Sequence, residues 1–482
     1  MFRLLMQRLE RHRRRRNRLL ALLLLLAAAS AAYLFLGVEE AEPGTPYTVP
    51  AGWKSGYFDT PLYQGSVFVV ETGPTDAPAV ILVHGLGQNA SGDWLKVIPA
   101  LEDHYRVIAL DLPGFGRSAG CKGAFTPTAY AQLLHEIRQR YGSDDTALVG
   151  HSMGGAVALR YAAEHPEALS KLLLVDVAGI LERTAYVKQI ADIPPLPEAA
   201  PPLLERAAAT LENLSGAIIE WFNLAPDPLD LVRTLNAHFQ RNRLNGSQIA
   251  IAMELLDEDF SSAIGRLSLR TYLFWGDKDR IAPMRTAQLL ASRLKNATLI
   301  TFPGVGHVPM TADSDAFNAV LLDALRGIPP YRPATPVSGE KRPLLLCRGE
   351  VGTTYGGRYG TVIVEDSKAV RFTGLEADRV VVRRSTVSFE NLEVHGERTA
   401  LDAERSVVMI TGARLQGALA LHASSSRIDM AGVSLTGSDA ALRVTKKARL
   451  IFSVSDLHGP EYDGDVHGDF RLKRGGVFLP EP

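Results

Sequence analysis

The sequence predicts an α/β protein, a mostly parallel sheet with helices packed on it, followed by a second unit built of strands alone. Three observations carry that expectation. Short apolar runs alternate with helical stretches between residues 55 and 327. A proline-rich break, Gly327-Ile328-Pro329-Pro330 on to Pro333 and Pro336, then interrupts the pattern. Beyond it the chain is dense in Val, Ser, Thr and Gly, and four similar segments close on Gly396, Gly417, Gly437 and Gly459, a step of about 20 residues. With 482 residues, 46% of them hydrophobic, 22% charged and a net charge of −1, the chain is of ordinary globular type. Such a balance excludes the strongly basic character of a nucleic-acid-binding chain.

The first element is an exception to that balance. Arg8, Arg11, Arg13, Arg14, Arg15, Arg16 and Arg18 crowd residues 1–18, and residues 19–38 follow without a single charge. About 20 apolar residues suffice to cross a bilayer as a helix. Basic residues before the run, and Glu39, Glu40 and Glu42 after it, orient such a helix with its N-terminus in the cytoplasm. The expectation is therefore a single-pass signal-anchor, a linker at 39–54, and a catalytic unit outside the cytoplasm, in a bacterial periplasm facing the inner membrane. Ala29-Ser30-Ala31 offers a competing cleavage site, but Tyr33-Leu34-Phe35-Leu36 prolongs the apolar run beyond it.

Strands come next. Tyr57-Phe58 and Ser66–Val70 are β-branched and aromatic. Ala79–Val83, Val107–Leu110, Thr146–Val149, Leu172–Val175, Tyr272–Trp275 and Ala297–Phe302 are continuous apolar runs, as parallel strands buried on both faces require. Ala129–Tyr141 reads as a helix between two of them. Residues 179–265, which include Pro194-Pro195-Leu196-Pro197 and Pro201-Pro202, form a helical insertion before the seventh strand.

The loops after these strands carry the chemistry. Gly150-His151-Ser152-Met153-Gly154 fits G-x-S-x-G between a strand and a helix, a sharp turn that lifts a serine hydroxyl clear of both. His84-Gly85-Leu86-Gly87 follows the Ala79–Val83 run, and Asp111-Leu112-Pro113-Gly114-Phe115-Gly116 the next one. Trp275-Gly276-Asp277-Lys278-Asp279 and Gly306-His307 close the series. With these motifs in this order, residues 55–327 resemble the α/β-hydrolase family. The resemblance implies Ser152 as nucleophile, His307 as base, and a carboxylate that orients the imidazole. Asp279 holds the family's position for that acid, with Asp277 and Asp176 as alternatives. It further implies an oxyanion hole made by the backbone N–H groups of Leu86 and Met153, and a cap over the serine formed by residues 179–265.

Other groups near these motifs have plainer readings. His84 shapes its loop, His151 packs inside the elbow, and Asp111 with Arg117 makes a structural turn. Leu214, Ile218, Trp221 and Phe222 stand at helical spacing, either as packing within the cap or as a mouth for an acyl chain. Serine at 152, where relatives that open epoxides or displace halide use aspartate, points to acyl transfer to water. No phosphate-binding or dinucleotide fingerprint is present, so no nucleotide cofactor is expected. Cys121 and Cys347 have no zinc spacing, so no metal is expected; they either pair across the two units or stay free.

In residues 342–482, one coil per roughly 20 residues resembles a short right-handed parallel β-helix, with a β-sandwich as the alternative. His395 and His458 recur at coil ends and read as turn residues. No pair of carboxylates suited to glycosidic chemistry stands out, so the unit reads as scaffold or as a docking surface for a partner or glycan.

The resulting expectation is a membrane-anchored serine hydrolase cleaving a small or lipid carboxylic ester. A C–C bond hydrolase of the same fold and an inactive binding module are the alternatives. An imidazole base further implies that activity falls below about pH 6, where an ordinary histidine protonates.

Overall fold

Two sheets organise the chain. The computed structural model describes residues 47–87, 89–118, 120–182, 246–279, 281–328, 343–472 and 475–480. In the first sheet the strands are β1 (Lys54–Thr60), β2 (Gly65–Thr72), β3 (Ala79–Val83), β4 (Arg106–Leu110), β5 (Thr146–His151), β6 (Lys171–Val175), β7 (Thr271–Gly276) and β8 (Ala297–Phe302). Their order across the sheet is β1-β2-β4-β3-β5-β6-β7-β8. β1, β2 and β4 pair antiparallel, and every pairing from β3 to β8 is parallel.

Every residue of β3, β5 and β7 is buried, which explains why these strands read as unbroken apolar runs rather than alternating ones. The Pro127–Tyr141 helix starts where Thr126 Oγ1 accepts the Ala129 N–H at 3.1 Å, with proline pre-set in the first turn. It stops at Gly142, where a Cβ would lie 2.5 Å from the Arg138 carbonyl oxygen. The Met153–Glu164 helix packs its buried face on one side of the sheet. Parallel strands set the loops after β3, β5, β6, β7 and β8 along one edge, where α/β sheets place their sites.

The second sheet holds β9 (Leu344–Arg348), β10 (Thr354–Glu365), β11 (Val370–Arg383), β12 (Thr386–His395), β13 (Thr399–Glu404), β14 (Val407–Ser424), β15 (Arg427–Val444), β16 (Ala448–His458), β17 (Asp463–Leu472) and β18 (Gly476–Val477). This is a large all-β region. Among the described residues, pairing is parallel from β9 to β16, and only β17 on β16 and β18 on β15 run antiparallel. Val370 stands opposite Val387, Val387 opposite Val408, Val408 opposite Ile428, and Ile428 opposite Leu450. The sequence repeat is thus a ladder repeat, with Gly417 opposite Gly437.

A second periodic device lies at the corners. Asp366, Arg384, Arg405 and Ser425 all have left-handed φ, between 48° and 52°, and each precedes a buried serine. Those serines stack: Ser367 N–H donates to Ser385 Oγ at 3.0 Å, Ser385 N–H to Ser406 Oγ at 3.2 Å, and Ser406 N–H to Ser426 Oγ at 3.1 Å. Inside, Tyr355, Phe372 and Phe389 stack at 5.6 and 5.0 Å between ring centroids.

The two sheets share an apolar contact, since Ala431 and Val454 pack in the same core as the helices over the first sheet. Cys121 and Cys347 are both buried and free, so no disulfide ties the units together.

The expected membrane placement is corrected. No helix among the described residues is long and apolar enough to cross a membrane; the longest, Pro127–Tyr141, has 15 residues and carries charges, short of the roughly 20 apolar residues needed. The basic run and the expected span at 19–38 lie outside the described residues. The described residues therefore give no support to the signal-anchor or to the single-pass location with a catalytic unit beyond the membrane. The stripe Leu214, Ile218, Trp221 and Phe222 also lies outside the described residues; of the insertion, residues 179–182 and 246–265 are described, the latter mostly as helices Gly246–Asp257 and Ser261–Arg266.

Candidate active site

Ser152 occupies the turn between β5 and the Met153–Glu164 helix with φ 53° and ψ −118°. A non-glycine residue reaches such a conformation only when its surroundings over-determine it. Here they do: Ser152 N–H donates to Val175 O at 2.9 Å, and its own carbonyl accepts from Gly155 N–H at 3.0 Å. The glycines around it are forced by contact. A Cβ on Gly150 would meet Gly154 O at 2.3 Å, and one on Gly154 would meet His84 O at 2.3 Å. One on Gly85 would lie 2.9 Å from Ser152 Cβ.

His307 stands in the loop after β8. Its Nε2 lies 2.9 Å from Ser152 Oγ and its Nδ1 2.7 Å from Asp279 Oδ2. A carboxylate beside Nδ1 fixes the proton there, leaving Nε2 to accept from the serine hydroxyl. Asp279, in the loop after β7, has no exposed side-chain surface. Its other oxygen accepts the N–H groups of Ile281 at 2.8 Å and Ala282 at 3.0 Å. The structure therefore brings Ser152, His307 and Asp279 into one hydrogen-bonded line. Asp277 turns elsewhere, accepting the Gly304 N–H at 2.7 Å.

The loop holding Leu86 abuts the serine through Gly85, and Met153 opens the helix, where first-turn N–H groups have no intrahelical acceptor.

Supporting histidines have defined roles. Leu112 N–H donates to His84 Nε2 at 2.9 Å, so His84 Nδ1 carries the proton and donates to Gly85 O at 2.7 Å. His151 Nε2 donates to the carbonyl of His307 at 2.8 Å. Burial, reinforced by His307, pushes the His151 pKa down to about 3, so the ring stays neutral and holds His307 by its backbone. Asp111 accepts the N–H groups of Ser91 and Arg117, each at 2.9 Å, which makes it a turn anchor as expected.

Two further acids stand near these groups, of which the sequence marks one only as an alternative acid and the other not at all. Asp93, whose carboxyl is held above the usual range by burial, lies within the fields of His84 and His307. Nothing in Ala90-Ser91-Gly92-Asp93-Trp94 marks it. Asp176 is the other, fully buried at the end of β6 with φ 45°; the sequence offered it as a rival to Asp279, not as a neighbour. Among the described residues no group of three or more metal-ligating side chains forms.

Comparison with known proteins now adds to this geometry. Residues 78–311 match the family model of the alpha/beta hydrolase fold. The 2-hydroxy-6-oxo-6-phenylhexa-2,4-dienoate hydrolase of Burkholderia cepacia is 30% identical over 259 residues, covering 51% of this chain and 87% of that protein. The chain belongs to the α/β-hydrolase family. Within it, Lipase 3 of a Moraxella species is 29% identical over 240 residues, covering 48% of this chain and 72% of the lipase. A crystal structure of a hydrolase from Pseudomonas aeruginosa aligns with a TM-score of 0.42 at 20% identity, covering 58% of this chain and all of the other. None of these matches extends the family to the C-terminal β region.

Proposed function

We propose that this α/β hydrolase is a serine hydrolase that cleaves carboxylic esters through an acyl-enzyme. The observation that carries the proposal is the line Asp279–His307–Ser152, with separations of 2.7 and 2.9 Å. Ser152 Oγ attacks the ester carbonyl carbon while its proton passes to His307 Nε2. The N–H groups of Leu86 and Met153 receive the oxygen that becomes negative. His307 then gives the proton to the leaving alcohol, and the acyl group remains on Ser152. Water, deprotonated by His307, attacks the acyl carbon and releases the carboxylate. Asp279 keeps the imidazole in the required tautomer and stabilises its cation.

Small-molecule esters are the substrate class, supported by the lipases among the relatives. The C-terminal unit, from about residue 342, is read as a short right-handed parallel β-helix that serves as scaffold. Its parallel ladders and corner serines support that reading over an antiparallel sandwich.

The test is covalent labelling by a fluorophosphonate probe, with Ser152→Ala and His307→Ala alongside. Labelling of the native protein that both substitutions abolish is the expected result. Folded native protein that hydrolyses no member of an ester panel of varied chain length, yet cleaves a vinylogous diketone, would replace ester hydrolysis with C–C bond cleavage.

A further inference from the structure

The inference concerns Asp176 and rests on the reading of Ser152, His307 and Asp279 as the catalytic group. Asp176 follows β6 and is fully buried in the sheet edge. Its N–H donates to Phe274 O at 3.0 Å, and its Oδ1 accepts the Gly276 N–H at 3.0 Å. Gly276 O in turn accepts the Asp279 N–H at 3.2 Å. Asp176 thus grips the residue from which the Asp279 turn departs. Its remaining oxygen, Oδ2, is buried and receives no N–H, and the Asp279 carboxyl is the side chain that acts on Asp176. The backbone at Asp176 is left-handed, a strained arrangement for a side chain that only forms a strand end.

Two carboxylates so close in an apolar interior cannot both be ionised. Geometry decides which one carries the charge. Asp279 receives the His307 N–H and two backbone N–H groups, all of which stabilise an anion. Asp176 receives one backbone N–H and no cation.

We propose that Asp176 is a positioning residue held as the neutral acid, whose O–H is directed at the Asp279 carboxylate and fixes the oxygen that orients His307. The imidazole is then aligned by a pair of carboxyl groups sharing a single negative charge. Burial first, and Asp279 second, drive the Asp176 pKa far above the carboxylate range, in agreement. Asp279 is the charged group acting on Asp176; beyond it stands His307, and Asp277 is turned to Gly304.

Two substitutions and one spectrum test this. Asp176→Asn keeps a neutral donor of the same shape, whereas Asp176→Leu keeps the branched outline, is bulkier and removes the donor. The acid limb of kcat/KM against pH should stay in place in Asp176→Asn, because no charge is lost. In Asp176→Leu it should move to higher pH, because an Asp279 carboxylate without its donor acts more strongly on the His307 cation. Its kcat should fall at least tenfold with KM little changed.

If Asp176 were instead an anion, Asp176→Asn would remove a negative charge and the acid limb would drop by about one pH unit; that result overturns the proposal. So does an Asp176→Leu enzyme with native kcat and an unmoved profile. Should the leucine variant fail to fold, the infrared difference spectrum of native against Asp176→Asn at pH 7 decides. A protonated-carboxyl carbonyl band present only in the native protein supports a neutral Asp176, and its absence refutes it. That band does not depend on turnover. Failure of the catalytic reading itself would appear separately, as native activity retained in Ser152→Ala.

Discussion

Asp279 and Asp277 are two residues apart and chemically identical, yet only one faces the imidazole. With Asp279→Asn, the amide can present the wrong group to His307 Nδ1, and kcat should fall by about a thousandfold or more while KM stays close to native; Asp277→Asn should stay within a few-fold, and steady-state kinetics of the pair separates them. The buried ionisable groups also set a stability signature. Asp176 has a folded pKa of about 9 against an ordinary aspartate near 3.9. The native state therefore holds a proton that the unfolded chain releases, and this contribution to stability is present at low pH and lost as pH rises towards 9. His151 works in the opposite sense. Its folded pKa of about 3 lies below the ordinary 6.5, so the unfolded chain binds the proton first and stability is lost as pH falls below about 6.5. Melting of native against Asp176→Asn from pH 6.5 to 9 isolates the first effect: the variant's relative stability should rise across that window. A constant difference would refute it.

At the scale of elements, the two halves of the chain are held by different local rules. The elbow works through close backbone approach, so Gly154→Ala, which drives a Cβ to 2.3 Å from His84 O and 2.5 Å from Val83 O, should abolish labelling of Ser152. The β region works through its corner serines. Ser406→Ala removes the acceptor of the Ser385 N–H and leaves a buried donor unpaired, at about 1–3 kcal/mol; urea denaturation of the full chain measures it. These elements also show what the sequence could reveal. The elbow glycines are demanded by neighbours within five residues and by the β3 loop, so the motif announces itself, as does the order of Ser152, Asp279 and His307 along the chain. The closing glycines exposed the repeat. The serines at 367, 385, 406 and 426 were equally periodic, but their meaning depends on the left-handed residue before each one, which composition does not display. Asp176 reads in the sequence only as an alternative to Asp279, for a similar reason. Its position after β6 is visible in the sequence, but its closeness to Asp279 exists only once β6 and β7 pair.

On the scale of the whole molecule, the all-β unit grips the helix that follows the Asp279 loop. Arg285, in the first turn of the Met284–Arg293 helix, donates from Nη2 to Asp429 Oδ1 at 2.8 Å and from Nε to Thr411 Oγ1 at 2.9 Å. Both partners of that ion pair are almost fully buried. Arg293 pairs with Asp456 at the other end of the helix. Gly412 and Gly432, both with left-handed φ, let Ser292 approach so closely that a Cβ on Gly432 would meet its Oγ at 2.8 Å. The same unit reaches the roots of the insertion, where Glu182 N–H donates to Ser453 Oγ at 2.8 Å. No repeat, motif or charge pattern in the sequence marks Arg285, Asp429, Ser292 or Ser453 as partners across the two units.

They make the β unit part of the hydrolase rather than an appendage. Asp429→Ala leaves a buried guanidinium without its counter-charge, which destabilises by about 3–5 kcal/mol. If the helix transmits that loss to the turn holding Asp279, kcat should fall even in the fraction that remains folded. Replacing both partners, Arg285→Met with Asp429→Leu, removes the stranded charge and should recover most of the stability. Measured together, melting and kcat separate two roles. Recovery of both in the double variant means the pair acts by neutralising itself. Recovery of stability with kcat still low means that the arginine holds the helix, and through it the acid loop, in register with His307.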